Sequence, residues 1–389
     1  MALVPQMRSG FALRVACLYA ALFAMAGIQL PFFPVWLKAK GLDAGEIGLV
    51  LAVPMLARIL AIPVATRVAD RRDALREAIM VASALSVAGY LLLGLASSAT
   101  AILIAYALAS LVYAPIMPIA ETYTLRGLTA RGRAYGPVRL WGSAAFVGGT
   151  FLAGFASDAI PARFLIWLIV AGMALAAVSA VMLAPLEAGP APKNTPAPPR
   201  KSLLRDPAFV AVIVAASLIQ SSHAVYYSFS ALAWRGEGLG GTAIATLWAL
   251  GVVAEIVLFA VSGRLPASMT PARLLLIGAF GAALRWTAMA FDPPSLLLPF
   301  LQLLHAASFG ATHLGALTYL ARNAPVGRGA TAQGYLAIAL AAAMAAATAL
   351  SGVLYQAVGA SSYAAMALVA VAGGACALIL RRTGRQAAA

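Results

Sequence analysis

The sequence predicts an all-α membrane protein of about twelve transmembrane helices, and three observations predict it. First, the 389 residues are 63% hydrophobic and only 10% charged, whereas a soluble domain is about 45–50% apolar and about 25% charged. Second, the apolar stretches mostly run to about 20 residues or more, the length that crosses a bilayer core as a helix. Third, the basic residues crowd into alternate hydrophilic gaps.

Taken in order, the predicted spans are 11–37, 46–66, 75–96, 99–125, 137–157, 161–184, 209–234, 241–264, 271–291, 294–321, 329–357 and 361–381. The first is too long for a signal-peptide core and is expected to stay in the protein. Every gap is short except Pro185–Pro207, which is rich in proline and positive charge. Proline there favours extended chain, so the expected organisation is an N-terminal six-helix half (1–184), a cytoplasmic linker (185–208) and a C-terminal six-helix half (209–389).

The formal net charge is +15, a value that can signal nucleic-acid binding, but its placement argues otherwise. Twenty of the 27 Lys and Arg residues fall on one side of the predicted membrane, among them Arg67, Arg71, Arg72, Arg76, Arg126, Arg131 and Arg133; the opposite gaps hold only Lys38, Lys40, Arg163 and Arg235. This asymmetry is the positive-inside rule. It predicts both termini in the cytoplasm of a bacterial inner membrane, the lipid bilayer as the partner and no nucleic acid. Cys17 and Cys376 fall in apolar segments with no disulfide framework or metal-ligand spacing, and no cofactor or metal is expected.

The two halves repeat one another. Trp36, Gly41, Leu42 and Ile47 recur as Trp234, Gly238, Leu239 and Ile244, and Thr122, Tyr123 and Arg126 recur as Thr318, Tyr319 and Arg322 at an offset of 196. A parallel repeat of six helices about a linker is the architecture of major facilitator transporters, with the substrate site between the halves. Gly and Pro inside the spans, such as Pro31, Pro34, Pro54, Pro63, Gly148 and Gly149, fit helices that pack closely and bend.

Charges inside a bilayer cost about 2.5–3.5 kcal/mol on insertion scales, so each one is a functional candidate. Glu121 and Arg139 lie 18 residues apart across a hairpin loop, at similar depth on adjoining helices, where an ion pair can form; a substrate clamp and a structural salt bridge both fit. Glu255 sits mid-span with no basic neighbour within a helical turn, so desolvation favours its protonated form. At the repeat offset of 197, Arg58 is the position matching Glu255, and the two can face each other as a functional or as a fixed pair. Arg285 and His305 occupy another hairpin, and Gln302, His305 and His313 fall roughly on one helical face. Histidine relays protons near neutrality, though packing explains His313 equally well. His223 opens the aromatic run His-Ala-Val-Tyr-Tyr-Ser-Phe-Ser with Tyr226 and Tyr227, which suits either a flat ring or helix packing.

Several segments resemble the phenylpropionate permease family of the major facilitator superfamily: Pro-Phe-Phe-Pro-Val-Trp-Leu-Lys (31–38), Val-Arg-Leu-Trp-Gly-Ser (138–143), Gln220 with His223-Ala-Val-Tyr-Tyr, Leu-Trp-Ala-Leu-Gly-Val-Val-Ala-Glu (247–255), Arg285-Trp286, and Leu-Leu-His (303–305) with His313. The wider pattern is similar to lactose-permease-like proton symporters. That resemblance implies substrate-binding roles for Glu121 and Arg139, ring stacking for Phe146 seven residues on, and a substrate and proton network of Glu255, Arg285 and His305. It departs at Ser308, where those symporters carry an acid. The family's loop after the second span is also altered: Asp70 and Arg71 remain as candidate gating residues, but Thr66 and Asp73-Ala74 replace the usual Gly and Gly-Arg.

The functional expectation is therefore a monomeric, proton-coupled symporter of a small organic, aromatic acid working by alternating access. Arg139 or Arg58 would hold the carboxylate, with Glu121 positioning Arg139. Phe146, Tyr226, Tyr227 and His223 would take the ring, and Glu255, Arg285, His305 and His313 the proton. Proton-antiport export, or sugar or nucleoside symport, remains the alternative. An enzyme is not expected, because the spans lack a nucleophile set, a metal cluster or a phosphate loop.

Overall fold

The computed structural model describes residues 10–186, 203–266, 268–325 and 328–386, and among them every regular element is helical. The helices are α1 (Gly10–Ala39), α2 (Ala44–Arg71), α3 (Leu75–Leu95), α4 (Ala99–Tyr113), α5 (Ile116–Thr129), α6 (Gly136–Ala159), α7 (Ile166–Val181), α8 (Pro207–Ser221), α9 (Ala224–Gly236), α10 (Gly241–Val261), α11 (Pro271–Ala290), α12 (Leu298–Leu303), α13 (Thr312–Asn323), α14 (Gly329–Val358) and α15 (Tyr363–Gln386). Among the described residues, eleven stretches are long and apolar enough to cross a membrane, the last of them 50 residues long. That last stretch holds α14 and α15, which meet at a turn through Gly359 (φ 57°). The chain is a multi-pass membrane protein. Of the predicted linker, residues 187–202 lie outside the described residues.

Local sequence explains where the spans begin and break. Asp43 caps α2 in a reciprocal box with Glu46: the Glu46 amide donates to Asp43 Oδ1 at 2.8 Å, and the Asp43 amide to Glu46 Oε2 at 3.0 Å. Both satisfy donors that a helix start leaves orphaned. The span Ala99–Thr129 is interrupted between α4 and α5 at Pro115, which has no N–H for the ladder. By contrast, α1 and α2 run unbroken past Pro31, Pro34, Pro54 and Pro63.

The sequence repeat is a repeat of helix endings. Gly41 and Gly238 both adopt φ 92°. In each case the next residue's amide reaches back to a carbonyl of the last helical turn, Leu42 to Leu37 at 3.3 Å and Leu239 to Trp234 at 2.9 Å. Only glycine takes that backbone conformation without cost, which is why the same Gly-Leu pair stands at the same place twice.

The chain forms two compact units. The first runs to Pro192 and takes in Trp234–Ala245; the second holds Lys193–Ala233 and continues from Thr246. In the first unit α1 is the central strut, packed along α6 and α7, while α3 lies on α4 and α7. The α1–α6 contact is backbone on backbone: a Cβ on Gly27 would stand 2.1 Å from the Phe146 carbonyl oxygen, and Thr150 Oγ1 donates to the Gly27 carbonyl at 3.0 Å. In the second unit α11 packs on α15, and both α14 and α15 on α8. Large apolar side chains such as Leu60, Phe280, Phe291 and Leu368 face outward, a surface suited to lipid.

The segment Trp234–Ala245 falls in the predicted C-terminal half, yet it packs on α6 of the first unit. Asp158 receives the Gly241 amide, the Thr242 amide at 2.9 Å and the Thr242 hydroxyl at 2.8 Å. Arg235 donates to the Ser157 hydroxyl and, at 2.8 Å, to its carbonyl. A carboxylate at the first amides of α10 satisfies orphan donors and meets the positive end of the helix dipole.

Gly27→Ala is expected to lower the melting temperature of the detergent-purified chain by several degrees, since overpacking costs about 1–3 kcal/mol. Gly148→Ala, whose added Cβ meets nothing within 4 Å, is the control and should leave it near the parent value in a thermal-unfolding scan.

Candidate functional site

The second unit carries a polar cluster that an apolar span would not keep for packing alone. Its centre is Arg285 on α11, fully buried. The guanidinium Nη1 donates to His305 Nδ1 at 3.2 Å and Nη2 to Gln302 Oε1 at 2.5 Å. It also lies over the rings of Tyr226, 4.4 Å from the centroid, and Trp286, at 4.6 Å, the geometry of a cation–π contact. Arg285 Nε, Gln302 Nε2 and Trp248 Nε1 are buried with no hydrogen-bond partner among the described residues, whereas buried polar atoms are normally satisfied.

On the far side of His305, Nε2 stands 3.5 Å from Glu255 Oε2. The three side chains thus form a line, Arg285–His305–Glu255, drawn from α11, the residue before the π-helical turn Ala306–Ala311 and α10. Small residues on both sides allow it. Gly251 faces His305, where an added Cβ would sit 3.3 Å from the histidine Cβ, and a Cβ on Gly310 would lie 3.5 Å from Glu255 Cγ.

His305 is followed by a π-helical turn, Ala306–Ala311, which inserts one residue into the helical register; such turns recur at functional sites. His305, Phe309 and His313 stack nearly parallel in a ladder with centroids 5.3 and 6.1 Å apart. The π turn also carries Ser308, whose hydroxyl is 3.1 Å from His223 Nε2. His223 Nδ1 is 3.1 Å from the Gln220 carbonyl. A carbonyl only accepts, so Nδ1 holds the proton and the Ser308 hydroxyl donates to Nε2. Ser308, standing where the related symporters carry an acid, serves as a neutral donor to a buried imidazole.

Aromatic rings close the cluster. Tyr226 stacks on Trp248 at 4.7 Å, and Tyr227 lies 5.9 Å from the same ring. Trp286 Nε1 donates to Ser222 Oγ at 2.9 Å, anchoring α11 at the break between α8 and α9.

The first unit differs from expectation. Glu121 and Arg139 do not pair; among the described residues no carboxylate comes within 4 Å of Arg139. The reason is packing: α6 lies along α1 whereas α5 lies chiefly on α3, and Arg139 folds over the Phe23 ring of α1, 4.1 Å from its centroid. Phe146 is half-buried on α6, and Arg58 is exposed on α2. What this unit does assemble is a network that a search for ionisable residues passes over. Tyr90 donates to Gln29 Oε1 at 3.0 Å, and Gln29 Nε2 donates to the Tyr106 hydroxyl at 2.7 Å, with Tyr113 edge-on to Tyr90. No spacing in the sequence links Gln29, Tyr90 and Tyr106, because the three stand on three different helices.

The candidate gating residues Asp70 and Arg71 are both exposed, and the shorter of two ion pairs at this corner is Asp73 with Arg126, at 2.5 Å, against 3.8 Å for Arg76 with Glu77. The Arg126 guanidinium holds the Asp73 carboxyl below its usual range. The altered loop therefore supplies its own acid, and Arg76 Nε ties it to the Leu183 carbonyl at 2.7 Å.

Comparison with known proteins agrees with this architecture. Residues 12–365 match the family described as MFS_1 like. The chain is 32% identical over 358 residues, 91% of its length and 93% of its counterpart's, to the "Probable 3-phenylpropionic acid transporter" of Escherichia coli (strain K12). It is 27% identical over 310 residues, 79% and 78% of the two chains, to the "Maltose permease" of Geobacillus stearothermophilus. Among solved structures, the nucleoside transporter NupG superposes with a TM-score of 0.77 at 14% identity, covering 96% of this chain and 98% of that one, which speaks to the fold alone. With a helical repeat, a buried charged cluster and a family match across nearly the whole chain, this protein belongs to the MFS_1-like family and is a membrane transporter of the major facilitator type.

Proposed function

We propose that this transporter moves a small organic acid, aromatic in character, together with protons by alternating access, in a bacterial inner membrane with both termini in the cytoplasm. One observation carries the reading. Three arginines singled out inside the spans, Arg58, Arg139 and Arg285, stand beside the acids Glu121 and Glu255, and among the described residues none of the three arginines has a carboxylate within 4 Å. Arg285 is fully buried, and a buried cation is normally paired. A set of unpaired guanidinium groups offers planar, fork-shaped donors to an anion that arrives as substrate. Aromatic side chains beside Arg285, Tyr226 and Trp286, with Tyr227 and Trp248 against Tyr226, favour an anion with a flat ring, and the name of the 32% identical relative points to the same class.

In this reading Arg139 and Arg58 attract and hold the carboxylate on the first unit, Glu121 limits their excess charge, Phe146 offers a ring, and the Arg285 cluster with His223, His305 and His313 serves the second unit. Purified chain in proteoliposomes is expected to accumulate 3-phenylpropionate when an inward proton gradient is imposed and to lose accumulation when the gradient is collapsed. No gradient-driven uptake across a panel of aryl acids, sugars and nucleosides would reject symport. Arg139→Ala removes a charge-assisted contact of about 1.5–3 kcal/mol, so its apparent substrate affinity is expected to fall about 10- to 100-fold in the same assay. Unchanged affinity would remove Arg139 from the site.

A further inference from the structure

The Gln29 network of the first unit has hydrogen-bonding capacity that the protein itself does not use. A glutamine side chain offers two acceptor sites on its oxygen and two donors on its nitrogen. Gln29 gives one acceptor site to the Tyr90 hydroxyl at 3.0 Å and one donor to the Tyr106 hydroxyl at 2.7 Å. An acceptor and a donor remain. Tyr106, already accepting from the amide, keeps its own hydrogen, and the Tyr113 hydroxyl makes no hydrogen bond among the described residues. Turning the amide over would exchange the parts of Tyr90 and Tyr106 and leave the same groups unused.

These groups can be reached. Gln29 and Tyr113 are half-buried, whereas Tyr90 and Tyr106 are buried. The rings make a wall: Tyr90 stands edge-on to Tyr106 and Tyr113, with centroids 6.4 and 6.1 Å apart, and Phe33 leans on Tyr106 at 4.7 Å. Tyr106 and Tyr113 lie two turns apart along one face of α4, and α2 packs on α4. From α2, Arg58 is within electrostatic reach of all three phenols. It is exposed and makes no hydrogen bond or ion pair among the described residues.

We propose that Gln29, with Tyr106 and Tyr113, holds a hydroxyl group on the substrate's aromatic ring while Arg58 holds its carboxylate, so that the preferred substrate is a hydroxyaryl acid. A phenolic hydroxyl both donates and accepts, the complement of what Gln29 has left. A bare ring edge at the same place displaces water from the amide and leaves both groups unpaired, which a site built for a hydroxyl penalises. Arg58 then selects among hydroxyl-bearing ligands. A neutral sugar or nucleoside leaves the guanidinium uncompensated, and an acid does not. Tyr113 supplies a ring against which a flat ligand packs. The proposal rests on the organic-acid reading above and narrows it, with 3-phenylpropionate as a substrate of lower affinity. A network that only tied α1, α3 and α4 together would affect every ligand alike, and this separates the two roles by experiment.

The experiment measures uptake into proteoliposomes of the full-length chain under an inward proton gradient. The ligands are 3-phenylpropionate, its ortho-, meta- and para-hydroxyphenyl counterparts, their methyl ethers, maltose and uridine. In the wild type at least one hydroxyphenyl isomer is expected to show an apparent affinity about 10- to 100-fold above that of 3-phenylpropionate. Its methyl ether, which has no donor, should lose that advantage. In Gln29→Leu the ratio of the two affinities should collapse toward unity, and in Tyr106→Phe it should shrink severalfold. Arg58→Gln should weaken both acids and keep the ratio. A wild type that takes up 3-phenylpropionate as well as every hydroxyphenyl isomer overturns the proposal and spares the organic-acid reading. So does a Gln29→Leu chain in which both affinities fall together with their ratio intact, the mark of a structural tie. Preference for maltose or uridine over every acid, or no uptake at all, removes both. Should Gln29→Leu not fold, the wild-type ratio and Tyr106→Phe decide.

Discussion

A guanidinium fully enclosed in a membrane span is the constraint on which the second unit is built. Arg285 cannot lose its charge at any ordinary pH, and lipid offers it nothing. Its surroundings are arranged accordingly: two aromatic faces, a glutamine oxygen and an imidazole nitrogen supply partial negative charge on every side. The carboxyl group of Glu255 stands beyond His305, 3.5 Å from its Nε2. A carboxylate in direct contact would make a stable and inert pair. Here the acid stands one imidazole away from the cation.

The same logic governs the backbone. Packing of α10 against the π-helical turn is possible because Gly251 and Gly310 bring no side chains to the contact, so Glu255 reaches His305 without strain. In the first unit Gly27 lets α1 touch α6, and Arg139 turns onto Phe23 instead of toward Glu121. Close helix approach in a bilayer depends on small residues. Here it decides which polar groups meet, and so it acts upstream of the chemistry.

Much of this was legible in the residues. The spans, the repeat and the family follow from hydropathy, charge placement and a handful of matched positions; the paired turns at Gly41 and Gly238 give the repeat its physical cause. The alignment of Arg285 with His305 across a hairpin was readable from spacing, as was the mid-span position of Glu255. The link between Glu255 and His305 was not, since it joins helices distant in sequence and depends on a π turn that no residue pattern announces. Glu121 and Arg139 show the converse. Hairpin spacing placed them at one depth, but the interposed α1 determines that they do not touch. Gln29 with Tyr90 and Tyr106 escaped notice because uncharged polar residues are common enough in spans to carry no signal until they converge.

The anchoring of Trp234–Ala245 on α6 bears on modularity. Two six-helix halves with an internal repeat invite the view that each is a free-standing cassette, exchangeable with its equivalent from a relative. The start of α10, however, is completed by Asp158, and Arg235 is held by Ser157, residues encoded on the other side of the linker. Either half is therefore tethered to the other at this point: a recombinant joined at the proline-rich junction keeps the carboxylate cap of α10 only when its incoming first half places an acid where Asp158 stands.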